Sequence, residues 1–135
     1  MLTIDRAYIR LMRDLQSAIG GELEHHGIMI ECNPTSNFLI GTFSRYDAHP
    51  IFRFNSTGLV HPDGTIPKPG HQLSVSINTD DLGVFDTSLE QEYAVLASAL
   101  ERAKDEDERP SYTPTSIYQY LDNVRCMGLE QSFRN

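Results

Sequence analysis

The sequence predicts an α/β segment, and three observations carry that reading. Ile28-Met29-Ile30-Glu31-Cys32 is a short apolar run bounded by Gly27 and Pro34, as expected of a buried strand. Ser74-Val75-Ser76-Ile77-Asn78-Thr79 is a second such run, and it leads straight into Asp80 and Asp81. The segments around these runs carry apolar residues at helical spacing instead. In α/β proteins, chemistry is placed at the carboxyl ends of strands, so the residues just after each run are the first candidates for a site.

Residues 5–19 read as a helix with apolar positions Tyr8, Leu11, Met12, Leu15 and Ile19. Arg6, Arg10 and Arg13 form its solvated side, with phosphate contact as the minor alternative. Gly20-Gly21 is expected to end it. Glu22 to His26 then makes a short helical turn, with His25 and His26 as cations suited to a helix end. After the first strand, Asn33-Pro34-Thr35-Ser36-Asn37 is a loop of turn formers that offers hydroxyl and amide groups. Its plain alternative is that Ser36 or Asn37 caps the next helix.

Residues 37–46 suggest a short helix or turn carrying Phe38, Leu39 and Phe43. His49-Pro50-Ile51 starts another short element, with His49 as an N-terminal capping group and Phe52 and Phe54 in the core. Residues 55–72 are a loop by composition, rich in glycine and proline, with His61 and His71 expected in solvent. Asp86-Thr87-Ser88 starts a helix in which Thr87 and Glu90 make a capping box. Leu89, Tyr93, Leu96, Leu100 and Ala103 are its buried stripe. Thr113-Pro114 opens the last helix, Ile117, Leu121 and Val124 line one face, and Gly128 closes it. Tyr112, Tyr118 and Tyr120 read as packing residues, and Leu129 and Phe133 as a tail that docks on the body.

Eleven Lys and Arg stand against 19 Asp and Glu, for a formal charge of −8. That balance argues against nucleic-acid binding through a basic patch. No apolar run reaches the roughly 20 residues of a membrane span, and Met1-Leu2-Thr3-Ile4 leads into charge rather than into a signal peptide. Cys32 and Cys126 form neither a C-x-x-C pair nor a disulfide framework, and a cytoplasmic location is the expectation.

The acidic pair is the most informative feature. Successive strand residues point to opposite faces, so Asp80 and Asp81 leave the strand end in different directions. One can face a metal while the other faces a ligand, and Gly83 lets the backbone turn at once. The plain alternative is that Asp-Asp before glycine is ordinary turn and helix-start composition.

Ile30-Glu31-Cys32-Asn33-Pro34-Thr35-Ser36-Asn37, then His49-Pro50-Ile51, then Ser76-Ile77-Asn78-Thr79-Asp80-Asp81, then Leu89 with Glu92-Tyr93, together resemble the adenosine deaminase family of metal-dependent amidohydrolases. Order and spacing match the last quarter of that family's catalytic barrel, over roughly residues 21–104. The resemblance implies that Asp80 is the zinc ligand and catalytic carboxylate. It implies that Asp81 hydrogen-bonds the purine ring and that Ser36 supports the substrate site from the neighbouring strand. The implied reaction is hydrolytic deamination of adenosine, or a related purine, to inosine and ammonia. Asn33 stands where the pattern has Cys before Pro, and Leu82 where it has Pro after the acidic pair.

The family's His-x-His pair, its further metal-binding His with a nearby Glu, and its Gly-His element have no match in this sequence. His25 and His26 are adjacent, about 100° apart on a helix, and do not replace them. A complete (β/α)₈ barrel takes about 250 residues, and this chain has 135. The expectation is therefore a single segment, 1–135, comprising the C-terminal two β/α units of a TIM barrel with flanking helices, inactive alone. Its partners would be a purine nucleoside and the remainder of the barrel. The alternative is a non-catalytic assembly domain whose open barrel edges pair with another chain.

Overall fold

The computed structural model describes residues 5–67 and 71–132. Phe133, expected to dock on the body, lies outside them, as do Pro69 and Gly70 of the predicted loop. Among the described residues the architecture is a mixed one, two parallel strands with helices before, between and after them.

Helix α1 runs Arg6–His25, opened by the Asp5 carboxylate on the Tyr8 amide at 2.8 Å. It does not stop at Gly20-Gly21 as predicted. A glycine inside a helix costs about 1 kcal/mol and does not by itself end it. Gly20 is there for closeness, since a Cβ on it would lie 2.3 Å from the His71 ring. The real terminator is Gly27, at φ +63°, where the Gly27 amide bonds Glu24 and the Ile28 amide bonds Leu23. That pair of reverse bonds is the Schellman stop, for which glycine is the favoured residue. The apolar positions Leu11, Leu15 and Ile19 lie outward, 64%, 49% and 51% exposed.

Strand β1 (Ile30–Cys32) pairs in parallel with β2 (Val75–Ile77), Ile30 against Val75 and Cys32 against Ile77. The strands are shorter than predicted but lie side by side and run the same way. Between them come α2 (Pro34–Ile40), a 3₁₀ turn at Tyr46–Ala48, α3 (Ile51–Phe54) and the loop to residue 74. The loop is held by Asn55, whose side chain donates to the Leu73 carbonyl at 2.8 Å and accepts from the Thr57 amide at 2.9 Å. His61 and His71 are half-buried rather than solvated, His61 stacking on Tyr112.

After β2, the one-turn α4 (Leu82–Phe85) leads to α5 (Leu89–Arg102) and α6 (Pro114–Gln131). The capping box of α5 is one register later than expected: Ser88 and Gln91 make it. Leu96, Leu100 and Ala103 of the predicted stripe are buried, Tyr93 is half-buried, and Leu89 is exposed. Helix α6 starts at Thr113-Pro114 as read and buries Ile117, Leu121 and Val124, but runs through Gly128, which lies against Ser76.

The core sits where β2, α5 and α6 meet, around Val75, Leu96, Ile117, Tyr120 and Val124. The Tyr120 hydroxyl is buried with no hydrogen-bond partner among the described residues. Burying an unpaired hydroxyl costs about 1–3 kcal/mol. Tyr120→Phe is therefore expected to leave stability unchanged or raise it by about 1 kcal/mol in urea unfolding. A clear loss would mean that the hydroxyl has a partner in solution.

Candidate functional site

The parallel pairing brings two strand ends to one edge. Beyond the ladder, the Asn78 amide donates to the Cys32 carbonyl at 2.9 Å, so the chains stay in step up to the loops that follow. Asp80 lies two residues further on, with φ at +58°. Aspartate tolerates this left-handed conformation better than most residues, and it is uncommon enough to mark a place where the surroundings impose it. The turn after β2 is thus made at Asp80 itself, not at Gly83.

The Ser36 hydroxyl donates to Asp80 Oδ2 at 2.7 Å. Ser36 is 1% exposed, while Asp80 is exposed. One carboxylate oxygen is tied to a buried hydroxyl, and Oδ1 has no hydrogen bond among the described residues. Asp81 turns the other way: its Oδ1 accepts from the Gly83 amide at 2.8 Å and the Val84 amide at 3.2 Å, capping α4. The two carboxylates part as predicted, and the plain helix-start reading holds for Asp81. The hydrogen bond that Ser36 makes to this acidic pair is to Asp80.

The residues after β1 are not an open loop. Asn33 precedes α2 and Pro34 is its first residue, where a fixed φ is already helical. The Thr35 amide, left without a partner by its own helix, donates to Glu92 Oε2 at 2.8 Å. Thr87 Oγ1 donates to Glu92 Oε1 at 2.6 Å. Glu92 is fully buried, yet both its oxygens are used. Asn37 Oδ1 accepts from the Asn33 amide and sits 3.1 Å from His49 Nε2. The Ile51 amide donates to His49 Nδ1 at 3.1 Å, so the ring is neutral there and its proton is on Nε2. His49 thus takes the first amide of α3, whose N-cap residue is Pro50, and burial pushes its pKa down to about 4, opposed by the nearby Glu92 charge.

Burial, with a smaller contribution from Glu31, pushes the Cys32 thiol up to about 12, so it is neutral and unreactive at neutral pH. Among the described residues no three His, Cys, Asp or Glu side chains come together to hold a metal ion. A zinc site takes three or four protein ligands. The described residues therefore do not bring a zinc site together by themselves.

Glu92 was legible in the sequence only as part of a motif, and His49 only as a cap. The available signal for Glu92 was its place four and eight residues before Leu96 and Leu100, a carboxylate in line with a buried stripe.

Comparison with known proteins covers the segment that holds both strands. The family described as Adenosine deaminase matches residues 10–109. An adenosine deaminase of Shewanella denitrificans is 33% identical over 78 residues, 58% of this chain and 19% of that protein. An adenine deaminase of Sinorhizobium medicae is 30% identical over 91 residues, 67% of this chain and 24% of that protein. An aminodeoxyfutalosine deaminase of Streptomyces avermitilis is 36% identical over 79 residues, 58% of this chain and 18% of that protein. The matched part is thus about a fifth of the length of these relatives. No solved structure matches the chain significantly. The match over most of its length, on the segments that build both strand ends, places this chain in the adenosine deaminase family.

Proposed function

We propose that this chain is the C-terminal part of the catalytic barrel of a zinc-dependent deaminase that acts on adenosine or a related adenine-containing substrate. In the complete protein, water adds to the amine-bearing ring carbon, the exocyclic C–N bond breaks, and ammonia leaves. The observation that carries the reading is the Ser36–Asp80 pair, set at the adjoining carboxyl ends of two parallel strands. Asp80 is the proposed metal ligand, with Oδ2 held by Ser36 and Oδ1 free to bind. Asp81 is the proposed acceptor for a ring donor, through the oxygen that does not cap α4. Ser36 supports both by fixing the first carboxylate. The relatives named above are an adenosine, an adenine and an aminodeoxyfutalosine deaminase, which supports a purine substrate. The cytoplasm is the proposed location, and among the described residues no helix is long and apolar enough to cross a membrane.

The isolated 135-residue chain is expected to release no ammonia from adenosine above a protein-free control, and to carry no stoichiometric zinc. A complete deaminase containing it should release ammonia from adenosine and carry zinc. Turnover by the isolated chain would show that too much had been assigned to the missing part. An inert complete protein would remove the deaminase reading. The assembly alternative has its own support in the outward apolar side of α1, which either the rest of a barrel or another chain would cover.

A further inference from the structure

Glu92 is the one buried acid among the described residues, and it lies in line with Leu96 and Leu100 on α5. A leucine at that position would continue the apolar stripe. Burying a carboxylate costs several kcal/mol unless its partners are well placed. A helix-start carboxylate often serves its own helix, but neither oxygen of Glu92 takes an amide of α5. Oε2 takes the Thr35 amide, in the segment after β1, and Oε1 takes the Thr87 hydroxyl, in the segment after β2. One carboxylate therefore joins the two strand-end segments, and the Ser36–Asp80 bond bridges the same two segments. Ser36 follows Thr35 directly and is buried, so its hydroxyl has little freedom once Thr35 is held.

We propose that Glu92 is a positioning residue for Asp80. It acts through Thr35 and Ser36 and holds the exposed carboxylate in the orientation its chemistry needs. The catalytic consequence rests on the deaminase reading given above; the positioning does not. Glu92 touches no reacting group. It clamps the two loops so that the serine hydroxyl meets one carboxylate oxygen and leaves the other free.

The test has two arms. In the full chain, the ¹³C shift of the Asp80 carboxyl carbon reports the serine hydroxyl bond. Ser36→Ala should move it, Glu92→Gln should move it the same way, and the double variant should move it no further than Ser36→Ala alone. Thr87→Val, which removes one anchor of Glu92, should give a smaller shift in the same direction and serves if Glu92→Gln fails to fold. In the complete deaminase, Glu92→Gln should lower kcat roughly tenfold with KM nearly unchanged, and should cost nothing more on top of Ser36→Ala. An Asp80 signal that ignores both Glu92→Gln and Thr87→Val overturns the positioning, whatever the turnover. A signal that moves while Ser36→Ala and Glu92→Gln keep full turnover supports the positioning and overturns the deaminase role of Asp80.

Discussion

Replacing Asp80 by alanine in the complete deaminase is expected to remove bound zinc and to lower turnover by more than about a hundredfold. Loss of a residue that merely orients a metal ligand already costs 10–100-fold, and a ligand should cost more. The backbone qualifies the choice of substitution. Asp80 has φ at +58°, where alanine is strained by about 1–2 kcal/mol and asparagine is tolerated. Asp80→Asn therefore removes the charge without the backbone penalty and should show the same loss of zinc. Asp81→Asn is expected to behave differently. Asparagine caps a helix as well as aspartate, so α4 should keep its start and zinc should stay. What is lost is a charged acceptor for the purine, about 1.5–3 kcal/mol, or at least roughly tenfold in kcat/KM. Bound zinc and kinetics measured on the three variants separate the roles. Equal zinc loss at both positions would show the assignment of ligand and substrate contact to be wrong, and full activity in all would remove this strand end from the mechanism.

Acidification should unfold the chain partly through His49. The ring is 2% exposed and its pKa is lowered to about 4, against about 6.5 when unfolded. Between those values the unfolded chain binds the proton and the folded chain does not. The stability that comes from a neutral His49 is thus complete above pH 6.5 and is lost as pH falls toward 4. A difference of this size amounts to roughly 3 kcal/mol. In His49→Gln that part of the pH dependence should vanish, because glutamine does not titrate and can still donate to Asn37. Urea unfolding of both proteins at pH 7 and pH 4.5 measures it. Parallel slopes for the two would mean that His49 is protonated in the fold.

The elements with strong local signals were readable from the sequence. The two apolar runs are strands, and Thr113-Pro114 opens a helix because threonine caps and proline presets the first turn. The strand ends were readable too, since Ser36 follows the first apolar run and the acidic pair follows the second within a few residues. Local punctuation was less dependable. Gly20-Gly21 and Gly128 looked like stops, yet helical hydrogen bonds continue through them, and only at Gly27 do the reverse bonds of a terminator form. Glycine permits a stop but does not enforce one.

The sequence by itself determined that this chain belongs with the adenosine deaminase family, because motif order survives without coordinates. Only the tertiary structure decided which carboxylate Ser36 holds, that Asp81 is occupied as a helix cap, and that Glu92 joins the two loops. Ser36 and Asp80 are 44 residues apart, and Thr35 and Glu92 are 57 apart. No local propensity reports a bond over such a separation. The pairing exists because β1 and β2 lie side by side and α5 packs against α2, where the Thr35 amide, unpaired within its own helix, meets the Glu92 carboxylate.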